Sequence, residues 1–391
     1  MERDRNQDAI AVLEQARSQV PEDAEMREEL GRFELSRNRL PQAITELRRA
    51  LELDPALPAA SFGLGVALRR SGQLDEAAAV FERTAELDPG HPGLALERGL
   101  LYEARGQADR AVEFYQAALT DRPDDAELLL RLGAAQVAAD RIDDAATTLE
   151  RVQEMLPSSA EAEHFLGRVA FARGQLPEAS SHFERALSLD ATRGEFHLYA
   201  AWAQIELGNI GRALERANAA IERDPSLGDA HWIRGRVRLR AGAVRDALTD
   251  LARALELEPE RVEAHAEMGD CYDQLRQLPE AIASYERAVA ARDTNGEWWY
   301  RLGRLRLDAA QRAEAARALG RATLVGDATT PEPHWLADAH RLQGDALRLG
   351  NERAGAVEHY RRYLDLAPEG AIDRAEVRRA MMDLGAVPPS D

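Results

Sequence analysis

The feature that most constrains this chain is a spacing. Pro21, Pro55, Pro89, Pro123 and Pro157 lie 34 residues apart, and the same ruler runs on through Ala191, Pro225, Pro259, Asp293 and Asp327. Alanines share the period at Ala9, Ala43, Ala77, Ala111, Ala145, Ala179, Ala213, Ala247, Ala281 and Ala315. Glycines form a third series, Gly31, Gly65, Gly99, Gly133 and Gly167, interrupted by Ala201 and resumed at Gly235, Gly269 and Gly303. Three series in one phase define a repeat protein, whose units bury their apolar faces only by stacking on one another.

Each unit reads as two helices. In residues 58–91, Ser61, Leu64, Gly65 and Leu68 are spaced i, i+3, i+4, i+7, and Ala77, Phe81 and Thr84 are spaced i, i+4, i+7. Both spacings put side chains on one helical face. Gly72 falls between the runs, where a chain leaving a helix takes a positive φ. The alanine and glycine positions mark the closest approach of the two helices, and the proline ends the second.

This phase places every unit. Residues 1–23 hold a second helix only (Ala9, Leu13, Ala16, Pro21). Nine 34-residue units then fill 24–329, starting at Ala24, Pro58, Pro92, Ala126, Ala160, Gly194, Gly228, Val262 and Gly296. The register breaks over 330–336, because Asp327 and Pro368 are 41 residues apart. Pro333 suits the first turn of a helix lengthened by His334, Trp335 and Leu336. A tenth unit covers 337–370 (Gly344, Ala356, Tyr360), and 371–385 reads as a capping helix before a disordered 386–391 tail. In that last helix Asp373 and Glu376 are spaced like a capping box, and Val377, Met381 and Leu384 share the face that closes the stack. The expectation is one all-α domain of 22 helices without a strand.

The unit resembles the tetratricopeptide repeat (TPR) family, of bacterial type. The match consists of Leu-Gly early in the unit (Leu64-Gly65, Leu132-Gly133, Leu166-Gly167, Leu302-Gly303), then an aromatic such as Tyr102 or Tyr272. Ala follows, then Phe81, Tyr115, Phe183 or Tyr285, a second Ala, and Pro. The resemblance implies a right-handed superhelical solenoid of antiparallel helix pairs that acts as a protein-interaction scaffold. It also implies that the free face of each first helix lines a concave groove for partner segments.

Composition removes other classes. The basic residues are all arginine, 50 against 69 acids, for a net charge of −19, which opposes nucleic acid and anionic membranes at long range. An arginine-only set is common in GC-rich bacterial genomes. No apolar run approaches the ~18 residues of a membrane span, and the N-terminus has no apolar signal core. The expected location is therefore cytoplasmic. Cys271 is the one cysteine, so neither an internal disulfide nor a cysteine metal cluster can form. The histidines make no close metal pair; His197, His231 and His265 share one repeat position that reads as packing, with Trp299 in the same slot. No catalytic constellation or cofactor motif is present, and the chain reads as non-enzymatic.

The groove positions are mixed in the first units (Glu25, Glu28, Arg32, Phe62, Arg69, Arg70, Leu96, Glu97, Glu103) and turn apolar in the middle ones. The candidate partner-binding residues are Leu130, Arg131, Phe165, Arg168, Phe171, Leu198, Tyr199, Trp202, Ile205, Trp232, Ile233 and Arg236. Farther on, Glu267, Asp270 and Asp273 make the face acidic. A helix that is apolar on both faces calls for a second occupant. The expected partner is a protein or peptide segment with apolar anchors beside basic residues, with Trp202 and Trp232 carrying the binding energy. The carboxylate-clamp lysines and asparagines of one TPR subset are missing. The rival reading is a docking arm of a larger bacterial enzyme or of an envelope or motility machine, for which the half-repeat start speaks; self-association through the repeat ends is a third.

Overall fold

In the computed structural model, residues 23–389 are described. They contain 21 α-helices and no strand. The half-repeat helix expected before Asp23 and the last two residues of the tail lie outside the described residues. Contacts divide the chain into two compact units, the first ending at Asp190 and the second starting at Ala191.

Unit 1 holds five hairpins. They are α1 (Ala24–Ser36) with α2 (Leu40–Leu53), α3 (Pro58–Arg70) with α4 (Leu74–Leu87), α5 (Leu94–Ala104) with α6 (Ala108–Leu119), α7 (Ala126–Ala138) with α8 (Ile142–Met155), and α9 (Ala160–Ala172) with α10 (Leu176–Leu189). Unit 2 continues with α11 (Gly194–Glu206) and α12 (Ile210–Arg223), α13 (Gly228–Arg240) and α14 (Val244–Leu257), and α15 (Val262–Gln274) and α16 (Leu278–Ala291). Then come α17 (Gly296–Asp308) and α18 (Arg312–Asp327), α19 (Leu336–Leu349) and α20 (Arg353–Leu366), and a last single helix, α21 (Arg374–Asp383). Within each unit a helix packs most extensively on its hairpin partner and next on the following hairpin.

The three residue series have three separate physical causes. Each alanine from Ala43 to Ala315 is fully buried, at the crossing of its second helix with the first. Each series glycine faces a large buried side chain sixteen residues on: Gly65 faces Phe81, Gly99 faces Tyr115, Gly133 faces Leu149, and Gly269 faces Tyr285. A Cβ at these glycines would sit 2.5–2.9 Å from its neighbour, inside van der Waals contact, so the site accepts only hydrogen. The buried tyrosines carry their hydroxyls out to carboxylates: Tyr285 donates to Asp270 at 2.6 Å and Tyr360 to Asp345 at 2.7 Å. That satisfies the polar end of an otherwise apolar side chain.

The turn within each hairpin passes through a left-handed residue. Gly72 has φ +81°, as the sequence implied, and glycines fill the slot at 106, 174, 208 and 242. Arg276 and Ala310 hold the same slot at φ 58° and 59°, where a Cβ crowds the following carbonyl.

The seven-residue insertion corrects one expectation. Residues 333–335 form a turn and α19 starts only at Leu336, so no helix is lengthened by His334 and Trp335. The reason is packing. Trp335 lies against Gly296 and Gly326 and stacks on Tyr300 at 5.9 Å, and one more helical turn would swing that ring away from both glycines.

Two outcomes are expected. In the hairpin whose glycine is replaced by Ala201, the position sixteen residues on is Ala217, and both are fully buried. Ala217→Leu should cost about 1–3 kcal/mol by overpacking, and Ala201→Gly in the same chain should recover much of it, read as non-additivity in urea unfolding. Separately, Ala310→Gly should stabilise the chain by about 1 kcal/mol by relieving the left-handed turn, measured in the same titration.

Candidate functional site

The groove positions sort by repeat slot. One slot runs His164, Leu198, Trp232 and Ala266, each one period on, and all four are buried. This slot is the seam between neighbouring first helices rather than an open surface. Leu198 and Trp232 are therefore corrected from groove residues to core, and so are Ile205 and Ile233, both fully buried in the main cluster of unit 2. The cause is the stacking itself: each first helix presses its flank on the next, and a residue near the groove edge is covered by the following hairpin. Tyr199 and Trp202 are half-buried and pack over that cluster.

Trp232 is clamped from several sides. Its indole N–H donates to Glu267 at 2.7 Å, and the guanidiniums of Arg236 and Arg261 lie 4.9 and 4.8 Å from its ring, within cation–π range. Trp202 meets Trp232 edge to face at 5.5 Å, and Tyr199 stacks on Trp202 at 6.1 Å. In unit 2 the structure therefore brings Tyr199, Trp202, Trp232 and Arg236 together. In unit 1 it brings Leu130 and Phe165 together over the cluster of Ala145, Leu149 and Leu166. There Arg168 lies 5.5 Å from the Phe165 ring, and Arg131 pairs with Glu127 at 3.4 Å. Phe171 is half-buried and is not part of that cluster.

The charged groove residues are already engaged. Arg236 reaches back to Glu206 at 3.2 Å and forward to Glu267 at 3.0 Å. Arg304 pairs with Asp273 at 2.5 Å, and Arg301 with Asp270 and with Glu297. Three of these links, Arg236 to Glu206, Arg301 to Asp270 and Arg304 to Asp273, join one hairpin to the preceding one. Arg261 and Glu206 were not among the sequence candidates. The available signal was Arg261's place: it occupies the N-cap slot, where Asp125, Ser159 and Asn295 cap their own helices.

Glu267 is the electrostatically unusual member. Burial pushes its carboxyl up to about 8, with Asp270 and Glu263 adding repulsion, against the pull of Arg236 and the Trp232 N–H. Burial likewise lifts the Cys271 thiol to about 12, so that thiol stays protonated and inert. The histidine slot is structural: His197 Nε2 lies 3.1 Å from the Ala191 carbonyl, His231 Nε2 3.3 Å from that of Pro225, and the Trp299 indole N–H donates to Asp293 at 2.8 Å. Each side chain thus closes the connection that precedes its own helix. Among the described residues no three His, Cys, Asp or Glu side chains are placed to hold a metal, and no helix is long and apolar enough to cross a membrane.

Matches to family descriptions settle the class. Tetratricopeptide repeat matches cover residues 1–58, 34–92, 62–126, 234–296 and 274–333 under one description, 102–169 under a second and 158–224 under a third. The chain belongs to the tetratricopeptide repeat family. Solved TPR-like structures share its fold. A tetratricopeptide repeat protein from Parabacteroides merdae is 19% identical over 63% of this chain and 97% of its own, with a TM-score of 0.54. The APC/C hetero-tetramer Cut9–Hcn1 gives 14% identity, 87% and 81% coverage and 0.58. Human IFIT1 with m7Gppp-AAAA gives 17%, 82% and 79%, and 0.51. No curated protein matches the sequence. TPR repeats generally serve as non-enzymatic protein-interaction scaffolds.

The raised carboxyl has a pH consequence. Folded Glu267 keeps a proton that the unfolded chain releases near 4.5, so its contribution to stability falls as pH rises from about 4.5 to about 8. Glu267→Gln should flatten that dependence and gain relative to the parent at pH 8 more than at pH 5, measured by urea unfolding at both values.

Proposed function

We propose that this TPR chain is a non-enzymatic, cytoplasmic scaffold whose unit 2 groove receives a partner protein segment over Tyr199 and Trp202. The observation that carries this is the half-buried aromatic pair seated on the clamped Trp232. A rigid apolar platform with its surrounding charges already paired binds without first having to be ordered. The acidic residues Glu206, Asp270 and Asp273 rim the platform and favour a partner that places basic residues beside an apolar anchor. In unit 1, Leu130, Phe165, Arg168 and Phe171 are assigned a separate contact with a partner.

Folds of this kind assemble with protein in Cut9–Hcn1 and hold m7Gppp-AAAA in IFIT1. A net charge of −19 favours a protein partner here, because a phosphate chain gains most of its affinity from basic surface.

Capture from the native host followed by titration tests the reading. Trp202→Ala should weaken the captured partner by about thirtyfold, or about 2 kcal/mol, with helicity and melting unchanged. Trp232→Ala, which empties a buried site, should instead lower the melting temperature. Undiminished affinity in Trp202→Ala, or a footprint confined to the second helices, overturns the proposal.

A further inference from the structure

We infer that a second copy of this chain docks on unit 2, inserting its α20–α21 loop into a cavity between α16, α17 and α18. The cavity holds about 440 Å³ over a floor of Val289, Trp299 and Leu302, with Arg306, Arg317 and Arg321 along its edge. None of the groove residues lines it, so the inference does not depend on the proposed partner site.

The edge charges show what the occupant must carry. Arg306 is tied to Glu286 at 2.7 Å and Arg321 to Asp293 at 3.0 Å. Arg317 is three-quarters exposed and holds only Glu314, one turn back, at 3.2 Å, a surface pair of little net strength. The buried Nε of Arg306 meets no acceptor among the described residues. An apolar floor beneath available guanidinium donors fits an apolar side chain flanked by a carboxylate.

The chain presents such a segment itself. Ile372, in the loop between α20 and α21, is 94% exposed, more than any other large apolar side chain described. Glu369, three residues earlier, is exposed and makes no ion pair with a described residue. Asp373, next to Ile372, is held only by Arg341 at 3.4 Å. Ile372 fits the cavity with room to spare, and Glu369 supplies the anion that Arg317 lacks. Cavity and loop are different surfaces, so the contact is head-to-tail and each copy offers one of each. Two chains of −19 repel at long range, which keeps the association weak.

Sedimentation velocity of the full chain over about 1–200 μM, a range that brackets weak association, tests this with two exposed substitutions. The parent should sediment faster as concentration rises. Ile372→Asp removes the anchor and Ala290→Trp fills the cavity mouth; each alone should remain a monomer with unchanged melting. Mixed together, they should form a dimer that grows no further, because one intact loop then meets one intact cavity. Arg317→Glu should weaken association at least about tenfold and Glu369→Arg in the same chain should restore it. Trp202→Ala should leave association unchanged, which separates this contact from the groove. A parent that stays monomeric throughout, association that survives either exposed substitution, or a mixture that stays monomeric while the parent associates overturns the inference.

Discussion

The fold depends on one contact, made again in each hairpin: a helix stripped of its Cβ at one point so that a large side chain of its partner can lie against the backbone. Gly65 under Phe81 and Gly99 under Tyr115 show the geometry, with no space for even a methyl group. Because the large residue is fully buried, it cannot move aside, and the crossing of the two helices is set locally. Everything else in the repeat follows from that crossing. The alanines line the rest of it, and the free face of each first helix is left for neighbours and partners. Stability in such an array is a sum of hairpin terms and nearest-neighbour terms, so each contact acts where it stands.

That contact is also why so much was legible in the sequence. A site that tolerates only glycine and a site that tolerates only alanine leave a mark every 34 residues, and helix positions follow from the marks. The class of fold, the pairing of helices and the role of Gly72 were all readable this way. Solvent exposure was not. Whether Trp232 or Ile205 faces water is decided by how the next hairpin lies against it, and a single repeat holds no record of that. Tyr199 shares a slot with Phe165 and Ile233, yet Ile233 is sealed while the other two remain half-open. The insertion was misread for a similar reason. Proline and helix-forming residues favour a longer helix locally, but the two glycines that receive Trp335 are more than nine and about forty residues distant in sequence, respectively for Gly326 and Gly296, not one turn away.

The arginines show a second division of labour. On the groove of unit 2 they are occupied in joining one hairpin to the preceding one, as Arg301 does with Asp270 and Arg304 with Asp273. Such partly exposed pairs add little stability one by one, but they hold the charged side chains in place and leave the aromatic pair as the uncommitted surface. Affinity in that groove therefore rests on Tyr199 and Trp202 more than on charge, while charge decides which partners approach.

Ala201 and Ala217 carry a consequence for how such a chain can be altered by recombination. In most of the hairpins the small residue stands on the first helix and the large one on the second, so a first helix from one repeat meets an acceptable partner in another. The hairpin of α11 and α12 divides the volume evenly between the two. Its second helix, placed opposite a glycine, would leave a hole; its first helix, placed opposite phenylalanine or leucine, would collide. This hairpin can be inherited, duplicated or grafted only whole, and a crossover inside it joins two halves that do not fit.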